Sequence, residues 1–110
     1  MVQQSPLDGV FHALSDPTRR AMVRALVSGE SKIGDLAAPF DMSFAAASKH
    51  VRVLESAGLV VRRIEGRSHF CRLQPGPLHE AQDWLSFYEA LWTEKFDALD
   101  ALFKATSTKE

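Results

Sequence analysis

Apolar residues recur every three or four positions along most of the chain, a spacing typical of amphipathic helices. A first short helix is predicted at residues 6–14. Its apolar side consists of Val10, Phe11 and Leu14. A second helix is predicted after Asp16, which is suited to cap it, with Pro17 in its first turn and Gly29 as its stop signal. Its apolar face consists of Met22, Val23, Leu26 and Val27.

Two more helices are predicted in the middle of the chain. A short third helix fits KIGDLAAPF at 32–40, and Pro39 disfavours its continuation. Ser43 can cap a fourth helix, which Gly58 ends. The helical period turns Ala47, Val51 and Leu54 inward. The opposite side carries Phe44, Ala45, Ser48, Lys49 and Arg52.

Apolar and β-branched residues then replace the helical pattern. LVVRRIE at 59–65 and RSHFCRL at 67–73 are predicted to be two strands of a hairpin that turns at Gly66. Pro75, Gly76 and Pro77 break the chain after it, and helical periodicity resumes over about 77–105. The predicted fold is therefore mainly α, with about five helices and a small two-stranded β-hairpin.

The last helix has more apolar surface than a single small core requires, because its large side chains spread over more than one stripe. They are Trp84, Leu85, Phe87, Tyr88, Leu91, Trp92, Phe96, Leu99, Leu102 and Phe103. We predict that the terminal helices form a homodimer interface. Its expected residues are Phe11, Leu14, Trp84, Phe87, Tyr88, Leu91 and Trp92. The alternative is a long helix that wraps its own core on two sides.

Length and composition favour one small domain spanning residues 1–110. No apolar run approaches the roughly 20 residues that a membrane span needs, and the N-terminus lacks the pattern of a secretory signal. A single cysteine, Cys71, rules out an internal disulfide and a cysteine-rich zinc site. We therefore expect a cytoplasmic protein with no membrane partner.

The net charge of −1 conceals an uneven distribution. Residues 43–73 carry six Lys and Arg against two Glu, whereas residues from 77 onward carry seven acidic residues against three Lys. A polyanionic partner should therefore meet the middle of the chain. On charge alone, ordinary solvated surface explains the same distribution equally well.

The order of elements resolves this ambiguity in favour of DNA. Helix, turn, helix and a basic hairpin form a winged helix-turn-helix, in which the fourth helix enters the major groove and the hairpin reaches phosphates or the minor groove. Basic residues occur on both the helix and the hairpin because both elements are expected to contact the same polyanion. A dimer would place two such helices on the two half-sites of a palindromic operator in double-stranded DNA.

Three motifs strengthen this interpretation: ALSDPTRRAMVRAL at 13–26, SKHVRVLESAGLV at 48–60 and EGRSHFCRL at 65–73. In this order they resemble the ArsR family of bacterial transcriptional regulators, and with the element order the resemblance covers roughly residues 8 to 103. The resemblance implies a homodimeric winged-helix repressor whose first and last helices build the dimer interface.

The resemblance also implies a set of DNA-binding residues. The recognition helix would begin at Ser43. The residues carried over are Ser43, Phe44, Ala46, Ser48, Lys49, His50, Arg52, Arg62, Arg63 and Arg67. Arg52 is placed for a phosphate, and Arg67 lies at the wing tip. Relatives often have glutamine near the position of Phe44, which can hydrogen-bond adenine. Phe44 cannot, so it either contacts a thymine methyl or packs back on the domain.

Many members of the family sense metals, and the corresponding ligands are missing. A CVCDL pattern supplies two thiolates in one family site, whereas this chain has KIGDL, with Lys32 and Gly34 in their place. The second family site lies along the last helix, which here offers only His79 near Asp83 and Glu80. Four well-placed ligands cannot be assembled, so neither a metal nor another cofactor is expected.

Cys71 alternates with Leu73 along its strand and is expected to be a small core residue; a thiol that senses oxidants is the alternative. No catalytic arrangement is expected. Ser48 and His50 are close in sequence, but they point to different sides of one helix and cannot form a nucleophile–base pair. The leading hypothesis is a homodimeric repressor that occludes a promoter without sensing metal. The first alternative is a regulator with a metal or small-molecule effector, of unknown identity, bound in the dimer crevice. A winged-helix module that binds protein is the second.

Overall fold

The computed structural model describes residues 6–107, which form five helices and three strands. In chain order they are α1 (Pro6–Ala13), α2 (Pro17–Leu26), β1 (Ser31–Lys32), α3 (Ile33–Ala37), α4 (Phe44–Ser56), β2 (Val60–Glu65), β3 (Ser68–Leu73) and α5 (Gly76–Ser107). The predicted mainly helical winged helix-turn-helix with a long last helix is confirmed.

Local capping residues set the bounds of α2. Asp16 has extended backbone, and its carboxylate accepts a hydrogen bond from the Arg19 backbone N–H at 3.0 Å. Pro17 occupies the first helical position, where a missing N–H costs nothing. Beyond the last turn, the backbone of Gly29 adopts φ +137°, a conformation that residues with a Cβ rarely adopt.

Replacing Asp16 should therefore destabilise the protein. We expect Asp16→Ala to lower the free energy of unfolding by about 1 kcal/mol, because the cap is lost, whereas Asp16→Asn should retain most of it. The Arg19 N–H bond lowers the pKa of Asp16. A folded-state pKa below the unfolded one stabilises the fold above the unfolded pKa, so the charge contribution should disappear as the pH falls below about 4.

Urea unfolding at about pH 7 and about pH 3, at one fixed protein concentration, measures both effects. Equal stability of wild type and Asp16→Ala at neutral pH would contradict the capping role.

The sheet contains one strand more than the sequence pattern predicts. β2 and β3 pair antiparallel from Val60 opposite Leu73 to Glu65 opposite Ser68, which confirms the predicted hairpin. β1 adds a third, outer strand, with Ser31 opposite Cys71 and Lys32 opposite Phe70, so the strand order is β1-β3-β2. The wing is therefore the predicted two-stranded hairpin, and β1 extends it to a three-stranded sheet that the sequence pattern did not predict, because two residues are too few to show an alternating pattern.

One hydrophobic core joins the first four helices to the base of the wing. Its fully buried members come from each of these helices and from the sheet region. They include Val10, Met22, Ile33, Val51, Leu54, Leu59 and Cys71. The predicted inward position of Cys71 is confirmed, and burial raises the pKa of its thiol. The thiol is therefore held neutral and unreactive, as expected of a packing residue.

α5 leaves this core after its first turns. Ala81 is its last buried residue, and every side chain from Gln82 to Thr106 is exposed. The Cα radius of gyration is 19.8 Å, compared with roughly 13 Å for a compact chain of this length. The helix therefore does not wrap its own core, the alternative that the sequence had left open. No helix of residues 6–107 is long and apolar enough to cross a membrane.

Candidate nucleic-acid interface

α4 presents a basic outer face because its opposite face fills the core. Ala47, Val51 and Leu54 are buried, as predicted. The outer side chains line a shallow groove of about 620 Å³. They are Phe44, Ala45, Ala46, Ser48, Lys49 and Arg52. The groove therefore contains most of the predicted recognition residues, with Ala46 and Ser48 half-buried at its base.

Both ends of α4 are fixed by hydrogen bonds. The Ser43 hydroxyl accepts from the Ala46 backbone N–H at 3.1 Å, which confirms it as the cap. At the other end Gly58, at φ +76°, donates to the Glu55 carbonyl, and Leu59 donates to the Leu54 carbonyl. This pair of bonds is a Schellman motif, and it directs the chain from the helix straight into β2. The angle between recognition helix and wing is thus set by the backbone.

Arg62 attaches the wing to α4. Its guanidinium donates two hydrogen bonds to Glu55 Oε1, at 3.1 and 2.6 Å, and lies 3.1 Å from Nδ1 of His69. The side chain is only 14% exposed. The sequence grouped Arg62 with the DNA-contacting residues of the wing; the structure places it between helix and wing, with its charge opposed by a carboxylate.

Arg63 is also paired, but on the outer side of the sheet. It donates to Glu30 Oε1 at 2.8 Å and to Glu65, and its guanidinium lies 4.5 Å from the centre of the Phe70 ring. Glu30 and Glu65 raise the pKa of Arg63, so its charge is permanent but largely offset. Arg63 therefore carries less free positive charge than the sequence predicts.

On α4 and at the wing tip, three basic side chains are left without a partner. Within residues 6–107, the side chains of Lys49, Arg52 and Arg67 make no hydrogen bond or ion pair. Arg67 stands at the wing tip, after Gly66, whose φ of +61° suits the first position of a two-residue hairpin turn. These are the charges that remain available to a polyanion.

His50 lies outside the outer groove of α4, and its side chain is 25% exposed. Its Nδ1 lies 3.3 Å from Nη1 of Arg19 and 3.9 Å from Oδ2 of Asp16, so it joins α4 to the start of α2. Arg19 also donates to the carbonyls of Ala13 at 2.7 Å and His12 at 3.3 Å, at the end of α1. His50 was predicted among the DNA-binding residues, and that role stays a prediction; in the structure its side chain links α4 to the start of α2.

Arg19 links α1 and α2 to α4 through contacts that the sequence pattern does not reveal. Its partners lie 6, 7 and 31 positions away, so helical periodicity carries no signal for them. It connects α1, which borders the predicted dimer face, to the recognition helix.

The uncovered face of α5 begins next to α1. The Phe11 and Trp84 rings meet edge to face at 5.5 Å, and Trp84 contacts Tyr88 at 4.7 Å. Farther along, Trp92 and Phe96 stack at 5.6 Å. All of these rings are between 37% and 60% exposed. Leu14, also predicted at the interface, is partly buried and packs against the core.

The exposed apolar side chains of α5 form one broad band. At roughly 100° per residue, all the large ones except Phe87 fall within an arc of roughly 140°. They are Trp84, Leu85, Tyr88, Leu91, Trp92, Phe96, Leu99, Leu102 and Phe103. The band is therefore a single face, interrupted by Lys95, rather than the separate stripes suggested by the sequence.

The positions of the family's metal ligands hold no ligand set. Lys32 is the N-cap of α3 and Gly34 lies in its first turn. On α5, His79 Nε2 is 3.8 Å from Asp83 Oδ2, and both side chains are largely exposed. Over residues 6–107, no three His, Cys, Asp or Glu side chains come together.

Comparison with known proteins leads to the same fold and class. A family model described as a helix-turn-helix domain matches residues 14–63. The transcriptional repressor SdpR of Bacillus subtilis is 30% identical over 79 residues, covering 72% of this chain and 88% of that protein. The HTH-type transcriptional regulator Rv2034 of Mycobacterium tuberculosis is 40% identical over 68 residues, covering 62% of this chain and 64% of that protein.

A solved structure extends the match over about four fifths of the chain. The crystal structure of an ArsR family transcriptional regulator is 36% identical and superposes with a TM-score of 0.75, covering 81% of this chain and 98% of that chain. Sequence motifs, element order and backbone geometry therefore agree, and the chain belongs to the ArsR family of winged helix-turn-helix transcriptional regulators, which bind DNA.

Proposed function

We propose that the protein is a homodimeric repressor that occludes a promoter, probing base edges with α4 and phosphates with the wing tip. The observation that carries this proposal is the set of unpartnered cations on one basic surface, Lys49 and Arg52 on α4 and Arg67 on the wing. Cations without an internal partner are available to neutralise phosphates and release counterions.

The roles of the basic residues follow from their partners. Ser48 and Lys49 point into the outer groove of α4 and are assigned to base edges. Arg52, one turn farther along, and Arg67 are assigned to phosphates. Arg62 and Arg63, which are paired with carboxylates, are assigned to hold the wing in place.

A second copy of the chain is the proposed partner of α5. The apolar band extends beyond the core and has no cover within residues 6–107, and an exposed surface of this kind is costly in water. Two antiparallel copies related by a two-fold axis would cover each other's bands and present two recognition helices to two half-sites.

Selection of bound duplexes from a random pool tests the function. We expect a palindrome whose half-sites are centred one helical turn, or a multiple of it, apart. In transcription assays on that promoter, added protein should reduce initiation in proportion to occupancy. A non-palindromic site would contradict the dimer geometry, and stimulated initiation would contradict repression.

We also predict that metals are not effectors, because Lys32 and Gly34 replace the thiolate ligands of the family site. Zinc, cadmium or arsenite should leave the affinity for the selected operator unchanged in fluorescence anisotropy. A tenfold loss, equivalent to about 1.4 kcal/mol of coupling, would reveal an effector site formed by other residues.

A further inference from the structure

The first turn of α4 has no side chain that can hydrogen-bond a base. It reads Phe44-Ala45-Ala46-Ala47, and Ala47 is buried in the core. The Ser43 hydroxyl, just before this turn, serves as the N-cap and accepts the Ala46 backbone N–H. This end of the helix therefore presents an aromatic ring and methyl groups, although N-terminal residues of a recognition helix are those that contact base edges.

Phe44 is held out from the domain. Its side chain is 58% exposed, and it is absent from the residues that pack against the core. It borders the outer groove of α4 on one side. On the other side it borders a cleft of about 160 Å³ that also includes Arg67 and His69 of the wing. The ring thus stands at the exposed start of α4, next to α3 and the wing, and does not pack into the core.

The major groove offers a single apolar feature for such a ring. Donors and acceptors line the base edges, and the C5-methyl group of thymine is the exception. Burying a methyl group against an aromatic ring and the adjacent Ala45 favours thymine over a pyrimidine without it. An exposed aromatic ring gives no comparable advantage to a base read through hydrogen bonds.

We propose that Phe44 is a specificity-determining residue that recognises the 5-methyl group of one thymine in each half-site. This inference rests on the proposed DNA-binding function and adds the chemical group that is read. A 5-methylcytosine placed at the same position carries the same methyl group in the groove and should partly replace thymine.

Deoxyuridine substitution tests the proposal, because it removes only the methyl group. Each thymine of the selected duplex is replaced symmetrically in both half-sites, and affinity is measured by anisotropy for wild type, Phe44→Ala and Lys49→Ala. We expect one symmetric position at which the wild type loses roughly 15-fold in affinity, about fourfold for each of the two methyl groups. Lys49→Ala should retain this loss, and Phe44→Ala should not show it.

The outcomes distinguish this inference from the function on which it rests. The methyl contact alone is overturned if the protein binds specifically but no deoxyuridine substitution lowers its affinity. It is also overturned if Phe44→Ala loses the same affinity as wild type on that substitution. Absence of specific binding on any duplex overturns both. Because Phe44 is exposed, thermal unfolding of Phe44→Ala should match that of wild type, so a change in affinity reports on recognition rather than on folding.

Discussion

The double variant Trp92→Glu/Leu99→Glu should be a monomer. Both side chains lie in the apolar band of α5, seven positions apart and therefore on the same face. Each large side chain buried against a partner contributes about 1.5–3 kcal/mol, and a glutamate in its place leaves a charge to be desolvated. We expect the dissociation constant of the dimer to rise at least about a hundredfold.

Sedimentation at micromolar concentration provides the measurement. The wild type should sediment at twice the chain mass of 12.2 kDa, and the variant at that mass. The matched control is Ala90→Glu/Ala101→Glu, which adds the same two charges to exposed positions on the opposite side of α5. It should remain a dimer. A monomeric wild type, or a control that dissociates equally, would contradict the assigned interface.

Loss of the dimer should also weaken operator binding far more than any single substitution in α4. A monomer reaches one half-site, so it loses the second set of contacts and the high effective concentration that links them. The same variant should bind an isolated half-site as well as one wild-type subunit does, because α4 and the wing do not contact the band. Weak binding of the half-site would instead indicate that α5 supports the fold of α4 and the wing.

Replacing Arg67 and Lys49 should have different effects on DNA binding. Arg67→Ala removes an unpartnered charge from the wing tip, so it should weaken binding to operator and scrambled DNA alike and reduce the salt dependence by roughly one unit of log–log slope. Lys49→Ala should instead lower the ratio of specific to non-specific binding, by roughly 1–3 kcal/mol, since a base contact carries sequence information. Ser48→Ala should act in the same direction.

Anisotropy titrations at several salt concentrations separate these effects. Lys104→Ala removes one positive charge near the far end of α5 and serves as the control for net charge, with little expected effect on either duplex. If Arg67→Ala altered sequence preference while Lys49→Ala did not, the assignment of helix to bases and wing to backbone would be reversed. If neither mattered on any DNA, the protein-binding alternative would take first place.

The sequence by itself determined the features that depend on neighbours within one helical turn. Asp16 and Ser43 cap their helices by bonding backbone N–H groups three positions away. Gly58 and Gly66 adopt the positive φ angles that glycine tolerates best. The buried and exposed faces of α4 follow from a period of 3.6 residues alone. These interactions are local, so the pattern of residue types is sufficient to predict them.

Only the tertiary structure decided which of the predicted cations are free. Arg63 is paired with Glu30, 33 positions away, and His50 meets Arg19 at a separation of 31. Such contacts depend on how helices and strands pack, which no local pattern encodes. The course of α5 also depends on tertiary packing. The sequence showed an excess of apolar surface on this helix. Only the packed core, whose last α5 residue is Ala81, shows that the apolar band beyond it lies outside the core.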